Sequence, residues 1–299
     1  MNETIKKNLL RVEELVGHVQ YTSAGVPLFN WLELRPLDRC NRSCTFCPRS
    51  DASVAPNQNL LMPPGLYGKL ASELGELDYS GTVVLAGYGE PMLSPHLDDM
   101  IRTFSPVARV ELVTNGDCIN KEKLERMAVA GVDQVLISLY DGPEQKDRLL
   151  SLLSKCDVPE GMVILRDRWF QENEDFGLKL TNRAGTIQKG RQAEIDLESP
   201  CYYTHYSMMI DWNGNAYLCP QDWQRRRISG NVMLHSLLDV WTSKELSRCR
   251  QRLGEGDRGM SPCNGCNADG TLHGYNHKLA WVEFDRQQNR SRPQKEIMV

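Results

Sequence analysis

Residues 30–47 read NWLELRPLDRCNRSCTFC, an apolar strand-like run followed by Cys40, Cys44 and Cys47. Three thiolates spaced C-x3-C-x2-C can hold three irons of a [4Fe–4S] cube and leave the fourth iron open to a small molecule. Zinc is the alternative occupant, but it favours four ligands and paired C-x2-C spacing. A cluster loop at the end of a first strand marks one end of that strand as the place for a site. If the later strands run parallel to the first, their C-terminal ends gather around it.

Strand-like and helical patterns do alternate from there. GLYGKLASELGEL (65–77) has helical periodicity, TVVLAGYGEP (82–91) reads as a strand and turn, and HLDDMIRTF (96–104) returns to a helix. VELVTNG (110–116) is a strand, and KEKLERMAVAG (121–131) a helix closed by Gly131. QVLISLYDG (134–142), EQKDRLLSLLSK (144–155) and GMVILRD (161–167) continue the alternation. Repeated βα units predict a parallel sheet, and five or six units predict a partial (β/α)6-type barrel. The barrel is expected over residues 31–190, after an N-terminal helical extension over 1–30. Beyond about 185 the chain turns polar. Asn213-Gly214 between two apolar stretches then predicts a β-hairpin, and Ser236 an N-cap for the helix SLLDVWTSKELSRCRQRL. A small hairpin-and-helix domain is expected over 191–285, and a flexible tail over 286–299.

The chain has 299 residues, 25% of them charged, and a net charge of −4. That balance gives no basic excess for nucleic acid and is compatible with a cationic small substrate. No run is long and apolar enough to span a membrane, and the N-terminus lacks a signal-peptide pattern. Ten cysteines without export signals point to metal or redox chemistry in a reducing cytoplasm.

A second set, Cys201, Cys219, Cys263 and Cys266, ends in C-x2-C. Four thiolates saturate a cube and leave no open iron, and they also suit a structural zinc knuckle. Cys118, Cys156 and Cys249 remain. Cys249 shares a helical face with Leu246 and Leu253, as a small buried hydrophobe would. A thiol near a barrel mouth also has a weak S–H bond and can give a hydrogen atom to a carbon radical. Glu33, Arg35 and Glu111 are charged residues within strands, unexpected in a buried parallel sheet. Glu33 and Glu111 are candidates for binding substrate ammonium groups, with an internal Glu33–Arg35 ion pair as the plainer alternative.

The triplet, the GYGEP turn at 87–91 and the second cysteine set together resemble radical S-adenosylmethionine (SAM) enzymes with a SPASM or "twitch" domain. The resemblance runs from about residue 31 to 270. It implies SAM on the open iron, two [4Fe–4S] clusters, and an electron donor such as flavodoxin or ferredoxin. By the same resemblance Phe46 packs on the adenine. Gly89 and Glu90 belong to the turn that meets the SAM ammonium, with Tyr88 standing where the family has a glycine. Asn115, Ser138 and Asp141 sit at strand ends that hold the ribose and carboxylate, and Arg166 meets the carboxylate. Relatives with one auxiliary cluster act in aminoglycoside biosynthesis. The expectation is an epimerase that inverts a sugar carbon, with hydrogen returned by Cys249. The rivals are a dehydrogenase of the same type and a noncatalytic zinc-binding module. The short segment ahead of the first strand leaves no room for a leader-peptide-binding domain, which favours a small cationic aminoglycoside over a peptide.

Overall fold

The computed structural model describes residues 3–169, 181–187 and 194–291. Helix α1 (Glu3–Val16) precedes β1 (Trp31–Leu34), after which α2 (Pro64–Glu76), β2 (Thr82–Leu85), α3 (Leu97–Phe104) and β3 (Arg109–Thr114) alternate. The series continues with α4 (Lys121–Ala130), β4 (Gln134–Leu139), α5 (Pro143–Leu153) and β5 (Val163–Asp167). Short α6 (Tyr203–Tyr206) leads into β6 (Ser207–Ile210), β7 (Asn215–Tyr217) and β8 (Ile228–Asn231). Helices α7 (Leu237–Trp241), α8 (Lys244–Gly254) and α9 (Tyr275–Ser291) complete the described chain.

All eight strands form one sheet in the order β5-β4-β3-β2-β1-β6-β7-β8. The first six in that order run parallel, and β7 and β8 are antiparallel additions. This is the mixed α/β architecture expected, with one difference in how its parts join. β6, from the C-terminal part, pairs with β1 in register Leu32↔Met208 and Leu34↔Ile210. The sheet therefore runs through the boundary expected near residue 190.

Strand parity divides the side chains. Leu32, Leu34, Val83, Leu85, Val110, Leu112, Val135 and Ile137 enter the core shared with Leu70, Leu74, Ile101, Phe104 and Leu124 of the covering helices. With a period of two, Glu33, Glu111, Ser138 and Arg166 fall on the opposite face. That alternation explains the charged residues within the strands: the second face is lined by polar groups rather than packed under helices.

Local signals act as their chemistry dictates. Asn120 caps α4 by accepting from Lys123 N at 2.9 Å, and Gly131 closes it at φ +96°. Gly214 makes the β6–β7 turn at φ +80°. Ser236 forms a capping box with Asp239. The single helix expected after it is two, because Ser243 caps a fresh start by accepting from Leu246 N. α9 extends past residue 286 to Ser291, and the rest of the expected tail lies outside the described residues. No helix among the described residues is long and apolar enough to cross a membrane.

Candidate active site

The loop after β1 carries Cys40, Cys44 and Cys47 to the C-terminal ends of the parallel strands. Asn57 clamps its start: Cys40 N donates to Asn57 Oδ1 and Asn57 Nδ2 to Cys40 O, both at 2.9 Å. Arg42, inside the loop, grips two neighbouring strand ends. It donates to Asp117 at 2.7 and 2.5 Å and to Asp141 at 2.8 and 2.6 Å. Bidentate guanidinium–carboxylate pairs of this kind fix orientation as well as position.

All three cysteines open on one cavity of about 450 Å³, which Phe46, Gly89, Glu90, Asn115, Ser138 and Arg166 also line. Glu90 is buried and accepts from Met92 N (3.0 Å), Thr114 Oγ1 (2.6 Å) and Asn115 N (2.8 Å). Burial nevertheless leaves its pKa above the ordinary value, against the pull of those donors. A Cβ on Gly89 would collide with the carbonyls of Leu37 and Arg39, so glycine here lets the turn lie against the cysteine loop. Asn115 donates to Asn41 at 2.8 Å. Arg166 donates to Ser138 Oγ at 2.9 Å and keeps its buried Nε unpartnered. Burial, then the neighbouring Arg168 guanidinium, lowers the Arg166 pKa.

Four expected site residues lie elsewhere. Asp141 does not line the cavity, because it is held by Arg42. Glu111 is fully buried and taken up by Arg11 and by Arg109 at 3.4 Å. Glu33 faces Arg35 at 3.8 Å, which is the internal pair weighed against substrate binding. Cys249 is buried on α8 with Leu246 and Leu253, packed in the same core as Cys263 and outside the cavity lining. Its sulfur has two polar neighbours, Arg227 Nη1 at 3.6 Å and Glu245 Oε1 at 3.7 Å.

The cavity also holds residues that pattern reading passed over: Tyr140, Arg168, Arg42, Arg183 and Trp223. Tyr140 lies 5.3 Å from the Phe46 ring, centroid to centroid. Parity would have found two of them. Ser138 and Tyr140 are two residues apart, as are Arg166 and Arg168, whereas Asp141 is out of phase.

The second set, Cys201, Cys219, Cys263 and Cys266, opens on its own small cavity with Arg258 and Tyr203. Asn182 and Asn267 brace it reciprocally, backbone N–H to side-chain oxygen, at 2.7 and 3.2 Å. A Cβ at Gly270 would collide with Cys201, so glycine lets that strand of chain close over the sulfur. Burial, then the neighbouring thiols, pushes Cys44 up to about 11. Burial also raises Cys201 to about 11 and Cys263 to about 12. Metal ions displace such protons, since thiolate is the binding form. Each set lines one cavity, as donors to a common cluster would. The donor chemistry thus fits one three-thiolate and one four-thiolate cluster.

Comparison with known proteins agrees. Residues 34–159 match the radical SAM superfamily, and residues 201–267 match the SPASM iron-sulfur cluster-binding domain. The S-adenosyl-L-methionine-dependent 2-deoxy-scyllo-inosamine dehydrogenase of Niallia circulans is 29% identical over 245 residues, covering 80% of this chain and 93% of that protein. The crystal structure of BtrN in complex with AdoMet and 2-DOIA superposes with a TM-score of 0.69 at 25% identity, covering 83% of this chain and 98% of that one. BtrN in an open conformation gives 0.60 at 23% identity, covering 81% and 93%. The two matched domains imply SAM and [4Fe–4S] clusters as cofactors.

Proposed function

Because this chain joins a radical SAM domain to a SPASM domain, we propose that it removes a hydrogen atom from a carbinol carbon of a cationic aminoglycoside-type substrate. The observation that carries the reading is the single cavity where the three-cysteine loop, the Glu90 turn and the Ser138–Arg166 pair meet. When bound, the cluster and SAM supply a 5′-deoxyadenosyl radical able to attack an unactivated C–H bond. The protein's own part is placement and exclusion of water. Cys40, Cys44 and Cys47 hold the cluster, Glu90 and Asn115 shape the amino-acid end of the SAM site, and Phe46 with Tyr140 offers an aromatic wall for the adenine. Arg166, with an unpartnered buried Nε, is the cation for the carboxylate. Cys201, Cys219, Cys263 and Cys266 hold the auxiliary cluster, and a flavodoxin or ferredoxin is the electron source.

Two fates are open to the substrate radical, each favoured by its own observation. Similarity to a named dehydrogenase across most of both chains supports oxidation more directly. On that reading the carbinol radical loses a proton to solvent and an electron to the auxiliary cluster that Cys201, Cys219, Cys263 and Cys266 would hold, and leaves as a ketone. Inversion is supported by Cys249, whose polar neighbours Arg227 and Glu245 are more than a packing thiol needs. On that reading the thiol returns hydrogen to the opposite face, as in conversion of neomycin C to neomycin B at C5‴, and the sulfur radical left on Cys249 would regain an electron from the flavodoxin or ferredoxin by way of the auxiliary cluster and a proton from solvent. Inversion requires the substrate to reach past the described cavity to α8. Oxidation does not.

Anaerobic turnover of neomycin C and of 2-deoxy-scyllo-inosamine in deuterated water separates the two fates. Oxidation yields a product two hydrogens lighter, made equally by Cys249→Ala. Inversion yields an isomer with one carbon-bound deuterium, lost in Cys249→Ala. Failure to form 5′-deoxyadenosine with either substrate would overturn the proposal.

A further inference from the structure

Tyr88 stands inside the SAM-side turn, yet its ring and hydroxyl meet Trp223 and Asp222, far along the chain. Its ring stacks on Trp223 with centroids 3.9 Å apart and planes inclined by 30°. Its hydroxyl donates to the Asp222 carbonyl at 2.5 Å. The Arg35 guanidinium lies 3.4 Å from the ring centroid, with none of its three nitrogens hydrogen-bonded. Tyr88 thus gives a buried cation a π face and anchors the loop that leaves the auxiliary ligand Cys219. Asp222 N donates to Cys219 O at 3.2 Å, and the Asp222 carboxylate accepts from Arg226 N and Arg227 N at 3.0 and 2.9 Å. Cys47, of the other set, packs against the cluster that this pair forms with Ala55. Trp223, carried by this loop, lines the cavity with Glu90 and the three cysteines.

We propose that Trp223 contacts the substrate and that Tyr88 is its positioning residue, holding the 219–227 loop against the turn that receives SAM. The substrate part rests on the function proposed above. An electron-rich indole suits an ammonium-bearing ring, whose charge the guanidinium groups of Arg42, Arg166, Arg168 and Arg183 in the same cavity repel. The positioning part rests on geometry alone. A glycine at position 88 would remove the stack, the hydroxyl bond and the cover on Arg35 together. Phenylalanine would remove only the hydroxyl bond.

Arg225, Arg226 and Arg227 make the loop's order readable by trypsin without relying on turnover. In the purified protein with its clusters loaded, Tyr88→Gly is expected to speed cleavage after these arginines about tenfold or more, with Tyr88→Phe close to wild type. Thermal midpoints measured alongside identify global unfolding. Equal cleavage in wild type and Tyr88→Gly overturns the positioning role. So does faster cleavage in Tyr88→Gly that merely tracks a collapsed midpoint and is reproduced by Tyr88→Phe. In the cluster-loaded enzyme, Trp223→Leu is expected to raise KM about tenfold or more while 5′-deoxyadenosine still forms without matching product, and Trp223→Phe to restore most of the coupling. An unchanged KM and product ratio in Trp223→Leu overturns the substrate contact. Absence of SAM cleavage in wild type with both candidate substrates refutes the proposed function, and the substrate contact with it. The trypsin result on Tyr88 stands apart from that outcome.

Discussion

Arg42 and Asp141 show how one side chain changes role once its neighbours are known. Read along the strand, Asp141 is a cofactor candidate. In space it is an anchor, joined with Asp117 to the guanidinium inside the cysteine loop. The hydrogen bonds from Arg42 hold the Asp141 carboxyl below its ordinary pKa. A depressed carboxylate pKa stabilises the fold above the unfolded value, near 4, and the benefit fades as pH falls through the folded value. Asp141→Asn is therefore expected to be less stable than wild type near pH 7. The gap in urea midpoint should close as pH falls below about 4, the unfolded value, and a constant gap would show that Asp141 contributes only shape. The cysteines were legible because their spacing is chemistry in itself. The anchor was not, since Arg42, Asp117 and Asp141 are joined only by folding.

At the scale of elements, α1 was readable as part of a helical extension but not as part of the site. Asn8 and Leu9 line the cavity of the three-cysteine loop, and Arg11 reaches the fully buried Glu111 of β3. Arg11 also sits 5.6 Å from the Trp31 ring. Arg11→Ala leaves Glu111 with only Arg109, at 3.4 Å. Removing one partner of a buried pair costs about 3–5 kcal/mol, and the remaining arginine places the expected loss near the lower end, about 3 kcal/mol by urea unfolding. Arg11→Met combined with Glu111→Leu is expected to recover most of it, because the uncompensated charge goes too. Strand parity, once the strands are known, places Glu111 and Ser138 on the polar face. Which helix would meet that face lay in a contact a hundred residues long, beyond any local pattern.

For the whole molecule, the repeating βα units made the parallel sheet legible, and the second cysteine set marked a second region. The pairing of β6 with β1 was hidden, because a four-residue apolar strand carries no mark of its partner. That pairing makes the two regions share a sheet, so they are expected to unfold together. Far-UV circular dichroism and tryptophan fluorescence should trace one coincident urea transition. Two separated transitions would mean that the C-terminal region folds on its own.

The same pairing has a consequence for how the protein is made. β1 leaves the ribosome early and meets β2 soon after, but β6 is synthesised about 170 residues later. At about 5–20 residues per second, one edge of β1 waits roughly 9–35 s for its neighbour. During that interval the loop bearing Cys40, Cys44 and Cys47 already exists, while the loop bearing Trp223 does not. The nascent chain thus exposes an unpaired strand edge and three thiols at once, which makes translation the interval most vulnerable to aggregation and oxidation.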